Sequence, residues 1–133
     1  MGYALDSSGW PIVQFKFIGR LTQLETDRYF ADGDALVTGR RPYVCIMDGT
    51  VMLTPDVDFV RRQARWIHEH RQEMLQVNRG IAFVMPSALV RGLVRAVMHF
   101  QEMPVPHASF ADLESALAWG QKRALATGIL RAK

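Results

Sequence analysis

The sequence predicts a single α/β domain built on a mostly parallel sheet. Three observations carry this. Apolar runs of strand length alternate with segments of helical period from residue 12 to residue 125. The run at 80–85, Gly-Ile-Ala-Phe-Val-Met, shows no polar alternation, which marks a strand covered on both faces. Several helical segments open on a Ser, Thr or Asp that can accept from the free amides of a first turn.

Tyr3 to Leu5 reads as a short first strand and Asp6-Ser7-Ser8-Gly9 as a turn. The β-branched and aromatic segment from Ile12 to Ile18 completes an N-terminal hairpin, with Pro11 at a position that suits a strand start. Thr22 and Glu25 have capping-box spacing, so a first helix is expected from there to about Val37, with Gly39 past its end in the left-handed conformation. Tyr43 to Met47 predicts a second buried strand ending at Asp48, followed by an apolar loop over 49–55. Thr54-Pro55-Asp56 reads as the start of a second helix, with Thr54 as N-cap, running to about Val77. The 80–85 strand then leads through Pro86 to Ser87, an N-cap for an apolar helix reaching Phe100. A last strand over 107–110 and a final helix capped by Ser109 or Asp112 finish the domain at 1–125, leaving a tail at 126–133.

Composition narrows the function. The chain has 133 residues, 49% of them hydrophobic, which is ample for one packed core. No apolar run approaches the roughly 20 residues that span a bilayer, and the start carries no secretory pattern. A cytoplasmic location without membrane insertion is therefore expected. The single cysteine, Cys45, lies in an apolar strand and reads as an inert buried thiol. Net charge is +3, but the arginines are spread along the chain among acids, which points away from nucleic acid.

Five residues make a candidate anion or ligand site. Arg91, Arg95 and His99 recur every fourth residue and form one stripe on the apolar helix, where two guanidiniums could clamp a phosphate or carboxylate. Ser87 lies near one end of that stripe. Asp48 stands at the carboxyl end of a strand, the usual edge for ligand sites in α/β sheets. Thr54 is a candidate phosphoacceptor at a helix start. His68 and His70 point to different sides of their helix, and no histidine pair has metal-site spacing, so no metal and no cofactor are expected. Methionines at 47, 52, 74, 85, 98 and 103 suit an adaptable surface.

In this order of elements the chain resembles the STAS fold of bacterial anti-sigma-factor antagonists. Several phrases are similar to its SpoIIAA-like (STAS/SEC14-type) branch: the strand ending in Gly19-Arg20, the strand ending in Asp48, Ala82-Phe83-Val84 leading to Ser87 through Gly92, and Phe110 through Trp119. The resemblance spans roughly residues 3–122. It implies a small regulatory or ligand-sensing module, not an enzyme. Sporulation-type antagonists carry a phosphorylatable Ser or Thr just before the second helix. Here Asp48 matches the acidic position, but Gly49-Thr50 and an apolar loop replace the serines, and Thr54 stands at the helix start.

Two functional readings follow. The first is a non-catalytic STAS-like interaction module acting through protein partners, as a homodimer, with a solid interior and a flat apolar face. The second is a small carrier or sensor of an anionic amphiphile, a lipid-like ligand whose head lies on Arg91 and Arg95 and whose tail is covered by residues 51–53. That reading requires a pocket.

Overall fold

The computed structural model describes residues 2–53, 56–101 and 103–131; at 93 and 96–101 only the backbone is considered. Ten elements follow one another: β1 (Tyr3–Asp6), β2 (Ile12–Gly19), α1 (Gln23–Thr38), β3 (Tyr43–Met52), α2 (Val57–Glu69), α3 (Arg71–Val77), β4 (Asn78–Val84), α4 (Ala88–Gln101), β5 (His107–Phe110) and α5 (Leu113–Ala126). The strands form one sheet in the order β1-β2-β3-β4-β5. β1 is antiparallel to β2, and every later pair is parallel. This is the α/β architecture expected, an N-terminal hairpin followed by alternating helices and strands.

Side-chain alternation sorts the two faces. Val13, Phe15, Phe17, Tyr43, Cys45 and Ile81 join Tyr29, Phe30, Ile67 and Met74 of α1, α2 and α3 in one front cluster. Ile12, Val44, Ile46, Ala82 and Val84 point to the back, where α5 covers them with Ala116 and Ala124. The strand order steps in one direction, so crossovers of constant hand put their helices on one face. Only α5, after the last strand, is left for the other. Beyond α5, Ile129 and Leu130 fold onto the back cluster, their amides donating to the Ala124 carbonyl at 3.1 Å.

Local chemistry sets the ends. Thr22 Oγ1 accepts from the Glu25 amide at 3.2 Å, and Glu25 Oε1 accepts from the Thr22 amide at 2.9 Å, the expected capping box. Glu25 Oε2 also accepts from the Gly2 amide at 2.6 Å and ties the chain start to α1. Asp112 caps α5 by accepting from the Ser115 amide at 2.8 Å.

Four expectations are corrected. The strand through Asp48 does not stop there: Ile18 and Gly19 of β2 pair onward with Val51 and Met52 after a register shift, so residues 49–52 of the expected loop are the end of β3. The N-cap of α2 is Asp56, which accepts from the Phe59 amide at 2.8 Å. Thr54 therefore does not cap this helix, and both it and Pro55 lie outside the described residues. The helix expected to reach Val77 breaks at His70 (φ −107°, ψ 15°) into α2 and α3. There the His70 ring stacks on Trp66 with centroids 4.4 Å apart, while Asp34 of α1 accepts from Trp66 Nε1 at 2.8 Å and lies 3.2 Å from His70 Nε2. Finally, Gly39 remains right-handed at φ −71°, and Arg40 takes the positive φ of 60°. The Arg41 guanidinium next to it lies 4.2 Å from the centroid of Trp10.

Candidate functional site

The front face is not solid. A cavity of about 380 Å³ lies between the sheet and the helices that cross it. Phe15, Phe17, Cys45, Met47, Ile81 and Phe83 form its floor. Tyr29, Phe30 and Leu36 of α1 close one side, and Phe59, Val60 and Trp66 of α2 another. Val90 and Val94 of α4 complete the wall. Five of the methionines singled out by sequence, Met47, Met52, Met74, Met85 and Met103, meet around this one space rather than on a surface.

The polar groups of the wall are paired with one another. The Tyr29 hydroxyl donates to Gln63 Oε1. The Tyr43 hydroxyl is hydrogen-bonded to the Asn78 side chain, and Asn78 Oδ1 accepts from the Gly80 amide at 2.9 Å. Burial pushes the Tyr29, Tyr43 and Cys45 pKa values well above their ordinary values, so all three stay neutral. A molecule inside would meet mainly hydrocarbon, aromatic faces and thioether sulfur. Among the described residues the wall carries no charged side chain and no general acid–base pair.

A second hollow of about 460 Å³ lies outside the first, at the carboxyl end of β2 and β3. Its lining is polar: Arg20 from the end of β2, and Arg61, Arg62 and Arg65 from α2, against Asp56 and Asp58. Arg62 is engaged, with Nη1 2.7 Å from Asp27 Oδ1 and its guanidinium 4.5 Å from the Phe30 ring centroid. Asp56 is occupied as the α2 cap. Among the described residues, Met52 and Phe59 line both hollows, so the apolar cavity and the arginine cleft adjoin there. Sequence reasoning did not single out this cleft. Its signal was the i, i+4 pair Arg61 and Arg65, indistinguishable in the sequence from any solvated helix face.

The residues proposed from sequence fall elsewhere. Asp48 is buried and its Oδ1 accepts from the amide and hydroxyl of Thr50, at the irregularity in β3 where the register against β2 shifts. Ser87 Oγ accepts from the Val90 amide at 3.3 Å as the α4 cap. Arg91 Nη1 donates to the Met85 and Pro86 carbonyls, each at 2.8 Å, and so fastens the β4–α4 turn. Arg95 is exposed. The His99 side chain and Thr54 lie outside what the structure describes. None of Asp48, Ser87, Arg91 and Arg95 lines the cavity, although Met85, Val90 and Val94 beside them do.

No family model matches the chain, and no curated protein matches it. Among solved structures, an uncharacterized protein of the DUF3478 family from Shewanella loihica PV-4, described as having a SpoIIAA-like fold, superposes with a TM-score of 0.67. The superposition covers 89% of this chain and 91% of that one, at 17% sequence identity. The fold is SpoIIAA-like. At that identity the SpoIIAA-like likeness concerns backbone architecture and leaves the choice of ligand to the side chains of this chain. Among the described residues, no helix of this SpoIIAA-like domain is long and apolar enough to cross a membrane.

Proposed function

We propose that the protein is a non-catalytic module that binds a small molecule with a large apolar body in its front cavity, as a carrier or sensor. The cavity is the observation that carries this reading. Its volume of about 380 Å³ falls within the roughly 300–1,000 Å³ of small-molecule sites. Its wall is apolar and aromatic, so an occupant with an apolar body would remove that surface from water.

One observation favours a partner-interaction role for the same module. Ile18, Val51, Leu53 and Val57 are exposed apolar side chains gathered where β2 and β3 end and α2 begins. A regulatory protein that reports ligand occupancy to a partner would present such a surface beside its pocket.

Native mass spectrometry of the protein purified from its own cells tests the reading. A small-molecule adduct that is released on denaturation supports it. A bare mass, together with no binding of the uncharged dye N-phenyl-1-naphthylamine to the purified protein, would refute it. A dimer mass in the same spectrum would support the self-association expected for an interaction module.

A further inference from the structure

The cavity and the cleft share a wall, and their lining chemistry is opposite. One is hydrocarbon and aromatic; the other carries Arg20, Arg61, Arg62 and Arg65 against Asp56 and Asp58. We infer that the ligand is an anionic amphiphile whose head group lies against Arg61, Arg65 and Arg20 in the cleft and whose chain passes between Met52 and Phe59 into the cavity. This rests on the reading of the cavity as a ligand site and moves the head group away from Arg91 and Arg95.

The arginines divide by what already occupies them. Arg62 is spent on Asp27 and on the Phe30 ring. Arg91 is spent on the Met85 and Pro86 carbonyls. Arg20, Arg61 and Arg65 are exposed and make no ion pair among the described residues. Arg61 and Arg65 stand one helical turn apart on α2, so both forks project to the same side. A carboxylate or phosphate accepts two parallel N–H bonds from each fork.

The pair lining both hollows is suited to parting. Met52 ends β3, and its unbranched thioether has three rotatable bonds. Phe59 sits in the first turn of α2. Both side chains are partly exposed at the edge of the front cluster. Phe59 also stacks on Tyr29 with ring centroids 5.7 Å apart, so Met52 is the freer of the two to swing aside.

The test uses N-phenyl-1-naphthylamine, which is uncharged and reports on the cavity, displaced by decanoate, decyl phosphate or the uncharged 1-decanol. In the wild-type protein, at least one of the two anions is expected to displace the dye about tenfold better than decanol, an advantage that shrinks with added salt. The double variant Arg61→Gln/Arg65→Gln should bind the dye and decanol unchanged and lose the anion's advantage. Arg95→Gln should keep it. If the advantage survives in the double variant, or is lost in Arg95→Gln instead, the head-group assignment is wrong while the cavity reading stands. If the dye does not bind the wild-type protein at all, the cavity reading fails and takes the head-group assignment with it.

Discussion

Replacing Cys45 by isoleucine adds two heavy atoms to a side chain on the cavity floor. Cys45 is 2% exposed and sits in the middle of β3, where a β-branched residue suits the strand. If the space above it is empty in the unliganded protein, the added carbons occupy a void and displace no neighbour. At about 0.8 kcal/mol per buried methylene the gain is about 1.6 kcal/mol. For a chain of 133 residues the unfolding entropy is about 0.28 kcal/mol/K, so the Tm should rise by about 6 °C. In a closely packed interior the same substitution would overpack and cost about 1–3 kcal/mol. The two cases differ in sign, which makes the assay decisive. Calorimetric melting of protein stripped of bound small molecules, wild type against Cys45→Ile, reads it directly. A Tm that falls by several degrees would refute the reasoning that this face of the sheet is hollow. The dye used above should meanwhile bind Cys45→Ile more weakly, because the same carbons take part of its space.

Three other outcomes are expected. Gly80→Ala puts a Cβ 2.9 Å from Trp119 Cη2 and 3.3 Å from Cζ3; the Trp119 ring or α5 beneath it must give, and urea titration should show a loss of about 1–3 kcal/mol. Arg91→Ala leaves the Met85 and Pro86 carbonyls without their charged donor, and the urea midpoint should drop by the equivalent of about 1–2 kcal/mol with dye binding retained. The Glu25 carboxyl is held below its ordinary pKa, first by the Thr22 amide and then by the Gly2 amide. A carboxylate depressed in the folded state contributes stability that is present above its unfolded pKa and lost as pH falls through the folded value. The Tm of the wild-type protein should therefore decline between about pH 5 and pH 2, and the decline should be shallower in Glu25→Gln; parallel curves would show that the anchor carries no net charge effect.

The parts of the fold that rest on local chemistry were legible in the sequence. Thr22 with Glu25 and Ser87 declare two helix starts through spacing alone, because a cap needs only its own first turn; for the last helix the sequence left Ser109 and Asp112 open, and Asp112 takes the role. The order of strands and helices was legible for the same reason. What failed needed a distant partner. Gly49 to Met52 lacks a reason to be strand until Gly19 and Ile18 are found beside it. Thr54 was the expected cap of α2, and the side chain that accepts from the first turn is that of Asp56. The break at His70 depends on Trp66 and on Asp34 across the helix pair. The candidate site was the least legible part. Arg91 was a conspicuous charge on an apolar helix, and the structure gives its donors to nearby carbonyls. The hollow is bounded by residues from β2, β3, β4, α1, α2, α3 and α4, and no spacing along one segment encodes a space among seven.

The two faces of the sheet differ in how they would answer compression. On the back, Gly120 lets α5 approach until an added Cβ would stand 3.0 Å from Ile46 Cδ1, so almost no volume is left to give up. On the front, the hollow is volume that disappears when water enters or the walls collapse. Hydrostatic pressure favours whichever state has eliminated such space. The domain should therefore yield on one side first, with α1, α2 and α4 loosening from the sheet while α5 and the strands beneath it hold. Its compliance is directional: a stiff plate backs a wall that can breathe, and any molecule filling that wall should stiffen it.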